Sequence, residues 1–129
     1  MLTSVASGPR AQGEALKREY RRWKTHKLKK GKFFPVWTDF EPFLLRLSGG
    51  ALKLYLFLGL VSKNYTGESW YSNRRLAEKL GCSERAIQAW MAELRENGLV
   101  ERLRLREHGV AFTYLRPYGE QSGDGDEGV

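Results

Sequence analysis

The sequence predicts a mainly α-helical domain that ends in a small β-hairpin, which is an α+β fold class. Two observations support this prediction. Residues 72–97 contain two short segments with helical spacing of apolar side chains, separated by a Gly-Cys-Ser corner. Residues 99–116 then alternate polar and apolar side chains with the period of two that strands require. Both segments fit in one small domain.

Composition limits the classes of protein to consider. The chain has 129 residues, 41% of them hydrophobic, which suffices for one domain with a core. Its net charge of +7 favours polyanionic partners, nucleic acid above all. The longest apolar run, residues 54–61, is too short to cross a bilayer, and the N-terminus lacks the pattern of a secretory signal. A single cysteine excludes an internal disulfide and fits a reducing cytoplasm, so we expect a cytoplasmic protein with no membrane role.

The charge is distributed unevenly along the chain. Residues 1–32 hold ten Lys or Arg and two Glu, a net charge of +8. Residues 33–118 carry +3, and residues 119–129 carry −4. We interpret these segments as a basic arm, a mildly basic domain and an acidic disordered tail.

The basic arm is predicted to be disordered over residues 1–13 and partly helical after them. Leu16, Tyr20 and Trp23 have the spacing of a short amphipathic helix, which Gly31 would end. Its cations suit the backbone of either kind of nucleic acid, although a solubilising tail is the alternative. Tyr20 and Trp23 would pack on the core or on a second subunit in a homodimer. The arm's candidate backbone contacts are Lys17, Arg18, Arg21, Arg22, Lys24, Lys27, Lys29, Lys30 and Lys32.

The central helices carry recognisable start and stop signals. Ser48 is expected to begin a helix that is apolar almost all round and therefore lies at the centre of the domain. Ser72 is expected to cap the next helix, and Gly81 to end it. Ser83 caps the third helix of the set, and Gly98 ends it.

The hairpin is predicted to turn at His108 and Gly109, a two-residue connection with glycine second. This turn would oppose Leu103 to Tyr114 on one face of the hairpin. The arginines then fall on the other face and form an outward ladder of phosphate contacts, namely Arg102, Arg104 and Arg106.

The predicted elements have the arrangement of a winged helix: three helices, with a tight turn between the last two, are followed by a hairpin. The chain resembles the winged helix-turn-helix domains of bacterial and mobile-element DNA-binding proteins over residues 33–118. The resemblance rests on a spaced motif at Ser83, Arg85, Ile87, Leu94, Gly98, Leu99 and Val100. The upstream LSGGALKLYLFLGL is similar to the first helix of such domains in plasmid and phage replication initiators and regulators.

The resemblance implies that the third helix enters the major groove of DNA. Ile87, Met91 and Leu94 define its buried stripe, so the opposite side would face the bases. The base-contact candidates are Arg85 for guanine, Gln88 for adenine, and Ala89 and Ala92 for close approach and thymine methyl contact. The family often has a threonine and a basic residue at the positions of Ala86 and Ala89, so we expect more phosphate contacts from the arms than from this helix.

Further backbone contacts are expected at the helix starts. Arg74 and Arg75 begin the second helix, whose N-terminus suits a phosphate. Asn73 adds an amide and Ser83 a hydroxyl.

We therefore expect a sequence-specific DNA-binding regulator of transcription, associated with the bacterial nucleoid. The alternatives are a plasmid- or phage-type replication initiator or helicase loader, and an RNA-binding, ribosome-binding or protein-docking module. Partners would be double-stranded DNA, a second subunit, and a replication or transcription protein. We expect no enzyme activity, no cofactor and no metal, because Cys82, His26 and His108 cannot supply a closed set of zinc ligands.

Overall fold

A computed structural model describes residues 8–104 and 110–120. The chain divides into two compact units between Phe33 and Phe34. The first unit contains one long helix, α1 (Pro9–Lys30), and Gly31 follows its end. The disorder predicted for the first 13 residues is therefore wrong from Pro9 onward. Proline is well suited to the first turn of a helix, because the N–H that it lacks has no intrahelical partner there.

The second unit contains four α-helices and three short strands in its described part. A 3₁₀ turn (Thr38–Phe40) leads into α2 (Glu41–Arg46), which is followed by α3 (Gly49–Val61), β1 (Glu68–Ser69), α4 (Asn73–Leu80), α5 (Glu84–Glu96), β2 (Val100–Arg104) and β3 (Ala111–Leu115). The strands form one antiparallel sheet in the order β1-β3-β2. The predicted class, helices followed by a small sheet, is confirmed.

The predicted helix caps are confirmed. The hydroxyl oxygens of Ser48, Ser72 and Ser83 accept hydrogen bonds from the third residue of the helix that each begins. Gly81 and Gly98 adopt the left-handed conformation with φ near +70° (69° and 73°), which glycine tolerates best. These local signals fix where α3, α4 and α5 begin and how α4 and α5 end.

The core lies where α3, α4 and α5 meet the sheet. Leu54 and Leu58 of α3, Leu76 of α4, and Ile87 and Leu94 of α5 are fully buried. The prediction that α3 is surrounded by protein is wrong on one side. Leu56 and Leu60, one helical turn apart, expose 38% and 71% of their surface. Apolar composition alone did not reveal which side of α3 is left uncovered.

Two glycines of α3 allow aromatic rings to pack directly on its backbone. A Cβ atom at Gly50 would lie 2.0–2.4 Å from the indole ring of Trp90 in α5. A Cβ atom at Gly59 would lie 2.2–2.5 Å from the ring of Phe34. Phe34 therefore completes the monomer core, while Trp37 remains 63% exposed.

The hairpin register differs from the prediction by two residues. Arg104 pairs with Ala111, Leu103 with Phe112, and Arg102 with Thr113. The orientation of the hairpin is also opposite to the prediction, because Thr113 is buried while Leu103 exposes 48% of its surface. A two-residue shift keeps every residue on the same face of its strand, so the register error did not cause the inversion. The predicted turn at His108 and Gly109, and Arg106, lie outside the described residues.

The two glycines at the start of α3 provide a test of this packing. We expect Gly50→Ala to destabilise the protein by about 1–3 kcal/mol, because the indole of Trp90 must move. Gly49→Ala is the matched control, since nothing lies within 4 Å of a Cβ atom there. That change should be neutral or stabilise by about 0.4–1 kcal/mol, because alanine restricts the unfolded chain. Urea unfolding measures both, and equal midpoints for the two variants would contradict the packing.

Candidate nucleic-acid interface

One face of α5 is fixed in the core and the opposite face is open to solvent. Ile87, Met91 and Leu94 are buried, as predicted. Trp90 packs at the edge of the core. The open face carries the four predicted base-contact residues and one acid; it consists of Arg85, Gln88, Ala89, Ala92 and Glu96, all exposed. The structure thus brings the predicted base-contact residues together on one surface.

Glu93 holds α5 against the start of α3. Its carboxylate accepts hydrogen bonds from the Ser48 N–H and from the Ser48 O–H, both at 2.7 Å. The negative charge also lies at the N-terminus of α3, where the helix dipole favours it. Sequence reasoning missed this contact, because Ser48 and Glu93 are 45 positions apart and neither is unusual in its own helix.

The turn between α4 and α5 is closed by backbone hydrogen bonds. The carbonyl oxygen of Ala77 accepts from the N–H of Gly81 and from the N–H of Cys82. The small side chain of Ala77 is itself buried where the two helices pack. Cys82, which follows Gly81 in this turn, is partly buried and packs against the core. These contacts set the angle at which α5 leaves α4.

Arg102 does not point outward as predicted. Its Nε donates to Thr113 Oγ1 at 2.9 Å, and its Nη1 donates to Asn73 Oδ1 at 2.6 Å. Its Nη2 donates to the carbonyl oxygen of Tyr71 at 2.9 Å. The inward position arises because Val100, Arg102 and Thr113 share the face of the sheet that covers the core, and Val100 and Thr113 are buried. Arg102 therefore joins the sheet to the start of α4.

The Arg102 side chain is a partly buried cation with neutral acceptors. Burial, reinforced by the charges of Arg104 and Arg95, lowers the pKa of Arg102. A guanidinium stays protonated at neutral pH even so. Its bond to Asn73 uses the amide oxygen of that residue and leaves the NH₂ group, which is the donor that a phosphate contact requires, out of this interaction.

Arg74, Arg75, Ser83 and Arg104, the remaining backbone candidates that the structure describes in the second unit, are exposed. Arg75 lies over the ring of Tyr71, 4.5 Å from the ring centre, and Arg74 forms an exposed ion pair with Glu78 at 3.5 Å. Exposed pairs of this kind contribute little and exchange readily for another anion. Arg104 is exposed at the end of β2. The Ser83 hydroxyl accepts from the Ala86 N–H at 3.0 Å, which leaves its own O–H available as a donor.

The predicted cations of the basic arm lie along α1, apart from Lys32, which follows the helix and is exposed too. Arg18, Arg22 and Lys29 fall on one face of α1, and each is exposed. Lys17 forms an ion pair with Glu14 at 3.2 Å, and Lys24 lies over the ring of Tyr20. Most of this positive charge faces solvent.

Positive charge is concentrated away from α5. That helix contains two arginines and three glutamates, so its own charge is slightly negative. The cations lie instead on α1, at the start of α4 and on the hairpin. Within the second unit, α5 is therefore weakly charged, while the start of α4 and the hairpin carry the cations that suit phosphates.

Other kinds of site are not found in residues 8–104 and 110–120. No group of three or more His, Cys, Asp or Glu side chains there is placed to hold a metal ion. In the same residues, no helix combines the length and the apolar character needed to cross a bilayer.

Comparison with known proteins agrees with this geometry. Residues 45–100 match the model of a family described as a helix-turn-helix domain. The matched range runs from α2 through α5 to the first residue of β2, so it contains both helices of the turn and the whole open face of α5. No curated protein and no solved structure matches the chain.

The inward position of Arg102 leads to a stability prediction. We expect Arg102→Ala to destabilise the protein by about 2 kcal/mol, because it leaves three acceptors without their donor. Arg104→Ala removes a similar charge from an exposed position in the same strand and should change stability by no more than about 0.5 kcal/mol. Urea unfolding of both variants measures the difference. If both variants lose the same small amount of unfolding free energy, Arg102 does not anchor the hairpin.

Proposed function

We propose that the helix-turn-helix domain reads duplex DNA with α5 in the major groove, and that the protein regulates transcription. The observation that carries this proposal is the open face of α5. On this face, Arg85 and Gln88 are the side chains that are long enough to donate hydrogen bonds to base edges. Ala89 and Ala92 lie beside them and are small. A face built in this way can approach the floor of a groove closely.

The chemistry of these side chains matches the edges of base pairs. A guanidinium can donate two parallel hydrogen bonds to the O6 and N7 atoms of guanine. The amide of Gln88 can donate to N7 of adenine and accept from its N6 amino group. The methyl groups of Ala89 and Ala92 suit contact with thymine. Glu96 at the far end of the face would repel a phosphate and favour a cytosine amino group instead.

Phosphate contacts would come from the surfaces around α5. Arg74 and Arg75 lie in the first turn of α4, where backbone N–H groups and the helix dipole also favour an anion. Arg104 extends the positive surface onto the hairpin. Because Arg102 ties the hairpin to Asn73 at the start of α4, these cations are held in a fixed relation to one another.

We assign the protein a regulatory role because these surfaces would recognise a DNA sequence and hold the DNA backbone. On this proposal the protein would work at the bacterial nucleoid. A replication-origin binder would use the same face of α5, so the genomic position of the selected sequence distinguishes the two roles. Sites beside promoters would support regulation, and sites confined to a replication origin would replace it with initiation.

A selection from randomised duplex DNA, followed by binding measurements, tests base reading. We expect Arg85→Ala and Gln88→Ala each to lower the preference for the selected sequence over unrelated duplex by about 1–3 kcal/mol. Lys79→Ala is the charge-matched control, because it removes one exposed cation from α4. Lys79→Ala should weaken binding to the selected duplex and to unrelated duplexes by the same factor. If Arg85→Ala behaves like this control, α5 does not read sequence.

The role of the arm is tested by salt dependence. Replacement of Arg18, Arg22 and Lys29 by Gln should weaken binding to all duplexes and should reduce the slope of log K against log[salt] by up to about 2.7, if each cation neutralises one phosphate. The preference for the selected sequence should remain. If the triple Gln variant loses all duplex binding while Arg85→Ala leaves binding unchanged, the result would favour an RNA-binding or backbone-only role for the arm.

A further inference from the structure

Arg102 is a cation in the middle of the hairpin that the proposed DNA contacts do not use. Its side chain is partly buried, and each of its three nitrogen atoms donates a hydrogen bond within the protein. The acceptors are Thr113 in β3, Asn73 in α4 and the carbonyl oxygen of Tyr71. A cation engaged in this way can serve DNA binding through the parts of the protein that it holds in place.

The hairpin is held to the helices at its base and again near its middle. At the base, the Leu99 N–H donates to the carbonyl oxygen of Leu94 at 3.0 Å, and the Arg116 N–H donates to the carbonyl oxygen of Leu99 at 2.9 Å. Near the middle, the guanidinium of Arg102 joins β2 to α4 at 2.6 Å. The base fixes where the hairpin begins. The second attachment limits how far so short a ribbon can swing about that base.

Arg104 lies one step beyond this second attachment. Residues two apart in a strand share a face, so Arg104 follows Arg102 on the face of β2 that turns toward the helices. Their Cα atoms are about 6.6 Å apart, and Arg104 is exposed. Arg74 and Arg75 are exposed in the first turn of α4, directly after Asn73. Arg102 therefore connects the exposed cation of the hairpin to the exposed cations of α4.

We propose that Arg102 is a positioning residue for DNA binding, which holds Arg104 at a distance from Arg74 and Arg75 that lets all three contact the backbone of one duplex. The role rests on the proposed function, because it acts through the phosphate contact of Arg104. Cations already held at the correct spacing lose less conformational freedom when the duplex binds. Without Arg102, Arg104 keeps its charge but gains less from its phosphate contact.

A double-mutant cycle on duplex affinity tests this dependence in the full chain. With Arg102 present, Arg104→Ala should weaken binding about fivefold and reduce the slope of log K against log[salt] by about 0.9, as the loss of one phosphate contact predicts. In an Arg102→Ala background, the same change should weaken binding by less than about twofold. Lys79→Ala removes an exposed cation of α4 and is the control. Its effect should be the same in both backgrounds.

Two further variants separate positioning from a direct contact, because both keep a positive charge at residue 102. Arg102→Lys replaces the planar fork by a compact ammonium group, which cannot reach the three acceptors together. Thr113→Val removes the acceptor in β3, at a side chain that is 1% exposed and so lies out of reach of DNA. In both backgrounds, Arg104→Ala should weaken binding less than it does in the unaltered chain. Urea unfolding checks that each variant is folded under the conditions of the binding measurement.

The outcomes distinguish the positioning role from the proposed function. If Arg104→Ala has its full effect in the Arg102→Ala or Arg102→Lys background, Arg104 contacts DNA independently and the positioning role is wrong. If Arg104→Ala has no effect in any background while Arg85→Ala still lowers the sequence preference, the positioning role is wrong and base reading by α5 remains. If neither Arg104→Ala nor Arg85→Ala changes duplex binding, the positioning role and the proposed function both fail.

Discussion

The guanidinium of Arg102 connects the hairpin of the second unit to the start of α4. It contacts Thr113 in the sheet, the backbone oxygen of Tyr71, and Asn73 in the first turn of α4. The hairpin alone is a two-stranded ribbon with a short third strand, and such ribbons have little stability of their own. Its orientation therefore depends on what holds it to the helices. A flexible apolar side chain at this position would fill space but would not fix direction.

The partners of Arg102 also explain why the sequence suggested the wrong orientation for the hairpin. A period-two pattern shows which residues share a face, but it does not show which face covers the core. Arginine is usually solvated, so placing Arg102 outward was the natural inference. The buried positions of Val100 and Thr113 set the opposite orientation, and three neutral acceptors make the partly buried cation tolerable. Those acceptors are more than ten positions away along the chain, beyond the reach of local pattern analysis.

Features decided by neighbours in sequence were predictable, and features decided by distant neighbours were not. The caps at Ser48, Ser72 and Ser83 involve residues three positions apart, and the buried stripe of α5 follows from helical spacing. The close approach of Trp90 to Gly50 depends on how α5 crosses α3. Sequence shows a glycine pair there, but it does not show that only the second glycine lies beneath an aromatic ring.

The placement of charge limits how such a protein can bind DNA. With two arginines and three glutamates, α5 would gain little from nonspecific attraction, so the base contacts proposed for it would contribute mainly to discrimination. On the same proposal, the cations of α1, α4 and the hairpin would provide most of the affinity, and that part of the affinity would depend on salt. When different surfaces provide discrimination between bases and affinity for the backbone, a substitution can change the sequence preference without abolishing binding.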